Sequence, residues 1–413
     1  MNSGLFLGID IGTSGVRAIV IDAAETIRAE TAKRFGCDAR SPAVWLSTLA
    51  SVLREIASQI EMAAIASVAV DGTSGTVLAI DQEGTPLAAP LMYDEAVSDP
   101  ETLEAFKAHG LGHLVGTATG RAFHLSRVVP YGRVVHQADW LSGLFSGRFD
   151  VSDDNNTLKT GFDPQARSWS SDVHSLGLKP FLPEEVFAPG DSIGRARGLL
   201  AQELGLSAEA IVTAGTTDGC AAFLASGAKR EGDCVTSLGS TLTLKLLSAT
   251  RIDDRDSGVY SHRLLGQWLA GGASNSGGRV LAHYFDADAI SRLSEGQRSD
   301  PPTGLDYYPL VLPGERFPTC EPQMQPRLEP RPQDDAVFLK GMFEGMAEIE
   351  AAGYRRLAEL GASPARRVFT VGGGAVNHLW REIRASRLNL PLERPASTEA
   401  AFGAALLARL GVQ

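Results

Sequence analysis

The chain reads as an α/β protein of two domains, and three observations carry that expectation. At 413 residues it is longer than one compact core usually holds. Strand-like alternation and amphipathic helical stretches mix along its length, an α/β or α+β pattern. The opening unit LGIDIGTSGVRAIVID, a strand, a turn and a strand, has a counterpart from Cys234 onward in CVTSLGSTLTLKLLSA, as though each domain began with the same hairpin. So short a unit also recurs by chance, and the pair alone does not decide.

Taken in order, Leu5, Leu7, Ile9 and Ile11 alternate along one strand, residues 12–15 turn the chain, and Val16 to Ile21 read as the returning strand. Ser41 before Pro42 reads as a helix start, since serine can cap and proline suits the first helical position. Trp45, Leu49, Val52, Ile56 and Ile60 then share one helical face. A strand at 65–70 ends in Asp71-Gly72-Thr73-Ser74-Gly75 and is expected to return through Thr76 to Ile80. A strand at 210–214 stops at Gly215, with a helix beginning near Asp218. Residues 314–335, rich in proline and charge, read as a surface loop before a helix at 337–360. A β run from Val368 ends in Gly372, Gly373 and Gly374 before a helical stretch containing Trp380.

Composition narrows the function classes. Hydrophobic residues make up 44% and charged residues 21%, enough to bury sizeable cores and unlike a disordered chain. Lys plus Arg number 38 against 49 Asp plus Glu, a net charge of 38 − 49 = −11 with no basic run, which argues against nucleic acid or an anionic membrane as partner. A phosphate site must therefore be local. Cys37, Cys220, Cys234 and Cys320 are far apart without CxxC spacing, favouring a reducing compartment and no structural zinc. The start MNSGLFLGID has no basic n-region and is interrupted by Asp10, so neither a signal nor a transit peptide is expected. With no apolar run near the roughly 20 residues of a membrane span, a cytoplasmic protein is expected.

Three motifs point to chemistry. Asp10 lies in an apolar strand just before Gly12-Thr13-Ser14-Gly15. A carboxylate there is costly unless paired or metal-bound, while the glycines let backbone N–H groups approach an anion and the hydroxyls add donors. Together they could hold Mg²⁺ and a phosphate, although the same residues also make a good turn. Asp218, in AGTTDG at 214–219, stands near a helix amino terminus, which favours a carboxylate as the anion. It could accept a proton from a sugar hydroxyl, because a loose phosphoryl transition state demands little early deprotonation; it could equally be a helix cap. The triple glycine at 372–374 costs folding entropy. It suits a nucleotide lying on a bare backbone near a helix start, or a tight strand-to-helix turn. No P-loop, GxGxxG opening, protein-kinase set or GxSxG elbow is present. His109 and His113 are read as loop histidines, not zinc ligands.

These residues resemble the FGGY family of carbohydrate kinases, within the actin, sugar kinase and heat-shock ATPase superfamily. DIGTSG at 10–15, DGTSGT at 71–76, QADWL at 137–141, AGTTDG at 214–219, SLGSTL at 237–242, GGASNSGG at 271–278, GGGAVN at 372–377 and TEAAFGAA at 398–405 occur in family order. Within the family, DGTSGT, SLGST, LDYYPL at 305–310 and GERFP at 314–318 resemble the short cyanobacterial and plant pentulose kinases of D-ribulose kinase type.

The resemblance implies two ribonuclease H-like, actin-like domains with ATP and sugar in a cleft between them. Residues 1–225 with a closing helix at 398–413 would bind sugar, and 226–397 would bind nucleotide. It implies that Asp10 and Thr13 help position Mg²⁺ and the γ-phosphate, and that Asp218 is the general base. Ser14, Ser240, Gly373 and Gly374 would contact nucleotide phosphates, Asn377 and Trp380 would line the adenosine pocket, and Ser74 would join Asp10 and Asp218 around the sugar. Residues 271–278 would form another wall of the nucleotide site. The expected reaction is phosphorylation of D-ribulose by ATP, in a monomer or homodimer. D-xylulose, L-ribulose or a polyol is the alternative substrate, and a sugar-responsive regulatory ATPase is the alternative class. One departure stands out: the lysine and tryptophan pattern usual before QADWL is replaced by residues 124–131, where Arg127 is the candidate substitute for the lysine.

Overall fold

A computed structural model describes residues 4–36 and 38–412. Cys37 and the first three residues, which enter the sequence reading, lie outside the described residues. The chain divides into two compact units, Met1–Ala225 with Glu399–Gln413, and Ser226–Thr398.

The first unit is organised by strands β1 (Leu5–Ile11), β2 (Gly15–Ile21), β3 (Ile27–Arg34) and β4 (Ile65–Gly72). A short pair, β5 (Val77–Ile80) and β6 (Arg133–His136), follows, and then β7 (Ser192–Arg195) and β8 (Ile211–Thr217). Six strands form one sheet in the order β7-β8-β4-β1-β2-β3. The hairpins β1–β2 and β2–β3 are antiparallel, while β1–β4 and β4–β8 are parallel. Chain 76–80 does not return along β4 as the sequence suggested. Both edges of β4 are already paired, with β1 and β8, so β5 pairs instead with β6.

Helix α1 (Pro42–Ala57) buries Trp45, Leu49, Val52, Leu53 and Ile56 against this sheet. Each such side chain contributes about 1.5–3 kcal/mol by leaving water. The helix ends before Ile60, and the Ser41 side chain makes no capping bond; proline at the first turn is what sets its start. Across from α1, the C-terminal helix Ala400–Leu410 lies directly on β1. A Cβ on Gly8 would come within 2.1 Å of the Ala401 carbonyl oxygen, so only glycine permits this approach.

The second unit repeats the plan. Its strands are β9 (Asp233–Leu238), β10 (Leu242–Ser248), β11 (Tyr260–Leu264), β12 (Gln267–Ser274), β13 (Arg367–Val371) and β14 (Leu392–Glu393). The sheet order is β11-β12-β10-β9-β13-β14. Two antiparallel steps, β9–β10 and β10–β12, are followed on the other side of β9 by two parallel ones, β9–β13 and β13–β14. This matches β3-β2-β1-β4-β8 in order and direction, so the hairpin resemblance read from sequence reflects two ribonuclease H-like sheets.

A 25-residue helix, Asp335–Glu359, packs Phe338, Met342, Phe343 and Met346 into the core of this unit. At its centre Glu350 and Arg384, 1% and 0% exposed, pair at 2.6 Å, and Thr236 donates a 2.6 Å bond to the same carboxylate. Such hydrogen bonds are what offset the desolvation of a buried ion pair. Residues 314–335 are not simply surface loop: Glu315 is 2% exposed and Phe317 is fully buried. Glu315 accepts from the hydroxyls of Ser274 (2.6 Å) and Tyr308 (2.9 Å) and from the Asn275 N–H (2.7 Å). LDYYPL and GERFP therefore brace the end of β12. Among the described residues no helix is long and apolar enough to cross a membrane.

Candidate functional site

In the first unit the carboxyl ends of three adjacent parallel strands bring together residues distant in sequence. Asp10 on β1 is in register with Asp71 on β4, and Asp71 with Thr216 on β8. Helix α4 (Asp218–Ala225) begins one residue after β8, which puts Asp218 beside this row. The crossing is tight because Gly215 has no side chain: a Cβ there would stand 1.7 Å from the Val70 carbonyl oxygen. The strand runs on to Thr217, past the stop expected at Gly215, with its register shifted between Thr213 and Thr216.

Asp10 is 5% exposed and Asp71 is fully buried. Desolvation by burial raises the Asp10 carboxyl above the usual range, opposed by hydrogen bonding with Asp71 and by the Arg17 guanidinium 3.2 Å away. Burial raises Asp71 further, and the neighbouring charges of Asp10 and Asp218 add to it. Both Asp71 oxygens are buried without another partner, so the neutral carboxyl is favoured there over the anion. Sequence reasoning missed Asp71, although a carboxylate closing an apolar strand is the signal that had flagged Asp10.

Thr13 and Ser14 are exposed on the β1–β2 turn. Ser74 is half-buried on the turn after β4, which is fastened from two sides. Helix α2 (Ala118–Val128) supplies Arg121, 4% exposed, whose guanidinium donates to the carbonyls of Gly75 (3.2 Å), Glu95 (3.0 Å) and Gly116 (3.2 Å). Helix α3 (Gln137–Ser146) supplies Gln137, whose side-chain oxygen accepts from the Thr73 N–H (3.1 Å) and hydroxyl (2.7 Å). Arg127 is exposed in the last turn of α2. The cation that reaches the Ser74 turn is Arg121, six residues earlier.

The second unit holds a cavity of about 640 Å³ lined by residues that include Ser240, Gly373, Gly374, Asn377 and Trp380. All five second-unit positions expected at the nucleotide thus share one cavity, although two of them face it differently than expected. Trp380 is 1% exposed and stacks on Phe343 with ring centroids 5.0 Å apart. Its edge meets Gly374, where a Cβ would fall 2.4 Å from the indole, so Trp380 also supports the glycine loop from below. Asn377 spends its side chain on structure: its oxygen accepts the Trp380 N–H (2.9 Å) and its amide donates to Ser294 (2.9 Å). A Cβ on Gly373, by contrast, would meet nothing within 4 Å. Of residues 271–278, only Gly278 lines the cavity; Gly271 and Gly272 are packed inside β12 against Leu244 and Phe317. A short helix, α5 (Gly278–Tyr284), follows.

Residues 234–411 match the C-terminal domain of the FGGY family of carbohydrate kinases. That stretch of the chain is thus of the FGGY C-terminal type. A xylulose kinase of Staphylococcus epidermidis is 22% identical, over 98% of this chain and 88% of the relative. An autoinducer-2 kinase of Yersinia pestis is 25% identical, over 86% of this chain and 74% of the relative. The crystal structure of the xylulose kinase from Rhodospirillum rubrum superposes with a TM-score of 0.84 at 22% identity, covering 99% of this chain and 90% of that one. The two ribonuclease H-like units therefore share the fold of known sugar kinases.

The first-unit residues also suit a divalent cation. Asp10, Asp218 and the Thr13 hydroxyl are an all-oxygen donor set, and the negative charge of Asp10 and Asp218, which raises the Asp71 carboxyl, is what a cation would offset. Among the described residues no group of three or more His, Cys, Asp or Glu side chains could hold a metal ion by itself. Mg²⁺ does not require one, since it keeps several waters and takes one or two carboxylates beside substrate phosphates.

Proposed function

We propose that the chain is an FGGY carbohydrate kinase that transfers the γ-phosphoryl group of ATP to a ketopentose, with D-ribulose as the preferred acceptor and Asp218 as the base. The observation that carries the reading is the row of carboxylates at the ends of β1, β4 and β8, adjoining the Ser74 turn. Asp218 takes the proton of the sugar's terminal hydroxyl as that oxygen bonds to the γ-phosphorus. The bond from phosphorus to the β–γ bridging oxygen breaks, and ADP leaves with the electron pair. Ser74 and Asp10 hold the other sugar hydroxyls, so the attacking oxygen arrives oriented. Thr13, Ser14 and Ser240 supply hydroxyl and backbone donors to the phosphates, and Gly373 and Gly374 keep the backbone bare beneath them. Mg²⁺, held by Asp10 with Thr13, would neutralise phosphate charge when bound. The first unit is on this reading the sugar-binding domain and the second the nucleotide-binding domain.

D-ribulose is favoured by the DGTSGT segment, which includes Ser74. LDYYPL and GERFP, being bracing elements of the second unit, carry no weight for the sugar. D-xylulose is the second reading, favoured by the xylulose kinase relative. ADP release coupled to NADH oxidation, with D-ribulose, D-xylulose, L-ribulose, ribitol and glycerol compared by kcat/KM, tests the choice. A larger kcat/KM for D-xylulose would move the substrate and leave the mechanism. ATP hydrolysis unaffected by any sugar would favour a regulatory ATPase.

A further inference from the structure

The second-unit cavity is lined mostly by glycine, alanine and larger apolar residues, with Ser240, Ser291 and Asn377 as its neutral polar side chains. Among its lining residues one carries charge, Arg279. The backbone fixes where that charge stands. Gly278 and Arg279 open α5 directly against the Gly239-Ser240 turn, with N–H bonds from Gly278 to the Gly239 carbonyl (2.8 Å) and from Arg279 to the Ser240 carbonyl (3.0 Å). A Cβ at 278 would come within 2.7 Å of the Gly239 oxygen, so this docking depends on glycine there. Arg279 is thus anchored at the Ser240 and glycine end of the cavity, and it is exposed. Its guanidinium enters none of the hydrogen bonds or ion pairs among the described residues, and no carboxylate lines the cavity to claim it.

A single unpaired guanidinium in an otherwise uncharged cavity selects for a ligand with an apolar body and an anionic end. Guanidinium binds phosphate oxygens through two parallel N–H bonds. From this arrangement we infer that Arg279 binds the phosphate chain of the nucleotide, next to the Ser240 turn. The inference rests on the kinase reading and adds to it a charged contact from the second unit itself, distinct from the Asp10 and Thr13 contacts of the first.

Calorimetric titration of the full chain with ADP, AMP and adenosine, for wild type, Arg279→Ala and Arg279→Lys, tests it. Loss of a charge-assisted hydrogen bond predicts about tenfold weaker ADP and AMP binding in Arg279→Ala, with adenosine affinity unchanged. Arg279→Lys should recover part of the loss, since the charge remains but the two parallel N–H bonds do not. Wild-type ADP affinity in Arg279→Ala would overturn the assignment, and so would an equal loss for adenosine, which would mean the side chain acts by packing. Wild-type protein that binds none of the three ligands would overturn the kinase reading and the inference with it.

Discussion

Asp10 and Asp71 are register partners on adjacent parallel strands, one 5% exposed and the other fully buried, each the polar end of an apolar strand. Two carboxyl groups so placed do not both ionise readily. Burial and the neighbouring charges of Asp10 and Asp218 favour the neutral form more strongly at Asp71 than at Asp10, where the Arg17 guanidinium opposes it.

Replacing Asp71 by Asn is therefore expected to preserve the fold. The amide keeps a donor toward Asp10 and removes a carboxyl that burial disfavours in its charged form. The thermal midpoint of the ligand-free protein at pH 8 should equal or exceed that of wild type. A fall of several degrees would show instead that Asp71 is ionised and paired in the folded protein.

A pH signature is expected from Asp153, at the start of the short helix Asp154–Leu158. Burial pushes this carboxyl up to about 7 from an ordinary 3.8. Between those values the folded protein keeps a proton that the unfolded chain has lost. Its contribution to stability is therefore greatest at the acid end and falls as pH rises through that window. Asp153→Asn should flatten the decline between about pH 4 and 7, as read from urea midpoints. An unchanged slope would place that carboxyl's folded pKa near the unfolded one.

Gly373 and Gly374, which line the second-unit cavity, should behave differently. A side chain at Gly373 meets only open space, so Gly373→Val should fold normally and raise the KM for ATP about tenfold by occupying ligand volume. Gly374→Val must collide with Trp380 and Leu238, and should lower the thermal midpoint as well. Equal ATP KM for Gly373→Val and wild type would remove the glycine loop from the nucleotide site.

If the Ser74 turn holds the sugar as proposed, Arg121 positions one substrate and not the other. Without its bonds to the Gly75, Glu95 and Gly116 carbonyls, the Ser74 turn loses its brace. Arg121→Ala should raise the sugar KM several-fold, leave the ATP KM near wild type, and cost about 1–3 kcal/mol of stability through the unsatisfied carbonyls. A KM change confined to ATP would contradict the assignment.

Much of this site could be read from residues alone, and where reading failed the cause is physical. Asp10 and Asp218 were legible because a carboxylate at the end of an apolar strand, or at a helix start, needs a reason. Asp71 offered the same signal and was absorbed into the turn that follows it. Arg121 was hidden because the expected cation lay at 127. Six residues at about 100° each place those two side chains some 240° apart around the helix, one inward and one outward. The pairing of β5 with β6 spans a sequence gap that no local pattern encodes. The hairpin repeat, weak as a string, became informative only when both sheets were seen to share one strand order. LDYYPL and GERFP, which pointed toward a substrate, bear on the packing of β12 instead.

The central claim is that Asp218 takes the sugar's proton. The most direct measurement is sugar-dependent ADP release by Asp218→Asn and Asp218→Ala beside wild type, with ADP binding measured on each protein. The account predicts a loss of kcat of about 10²- to 10⁴-fold in both variants with ADP affinity retained. Full turnover in either variant would contradict it.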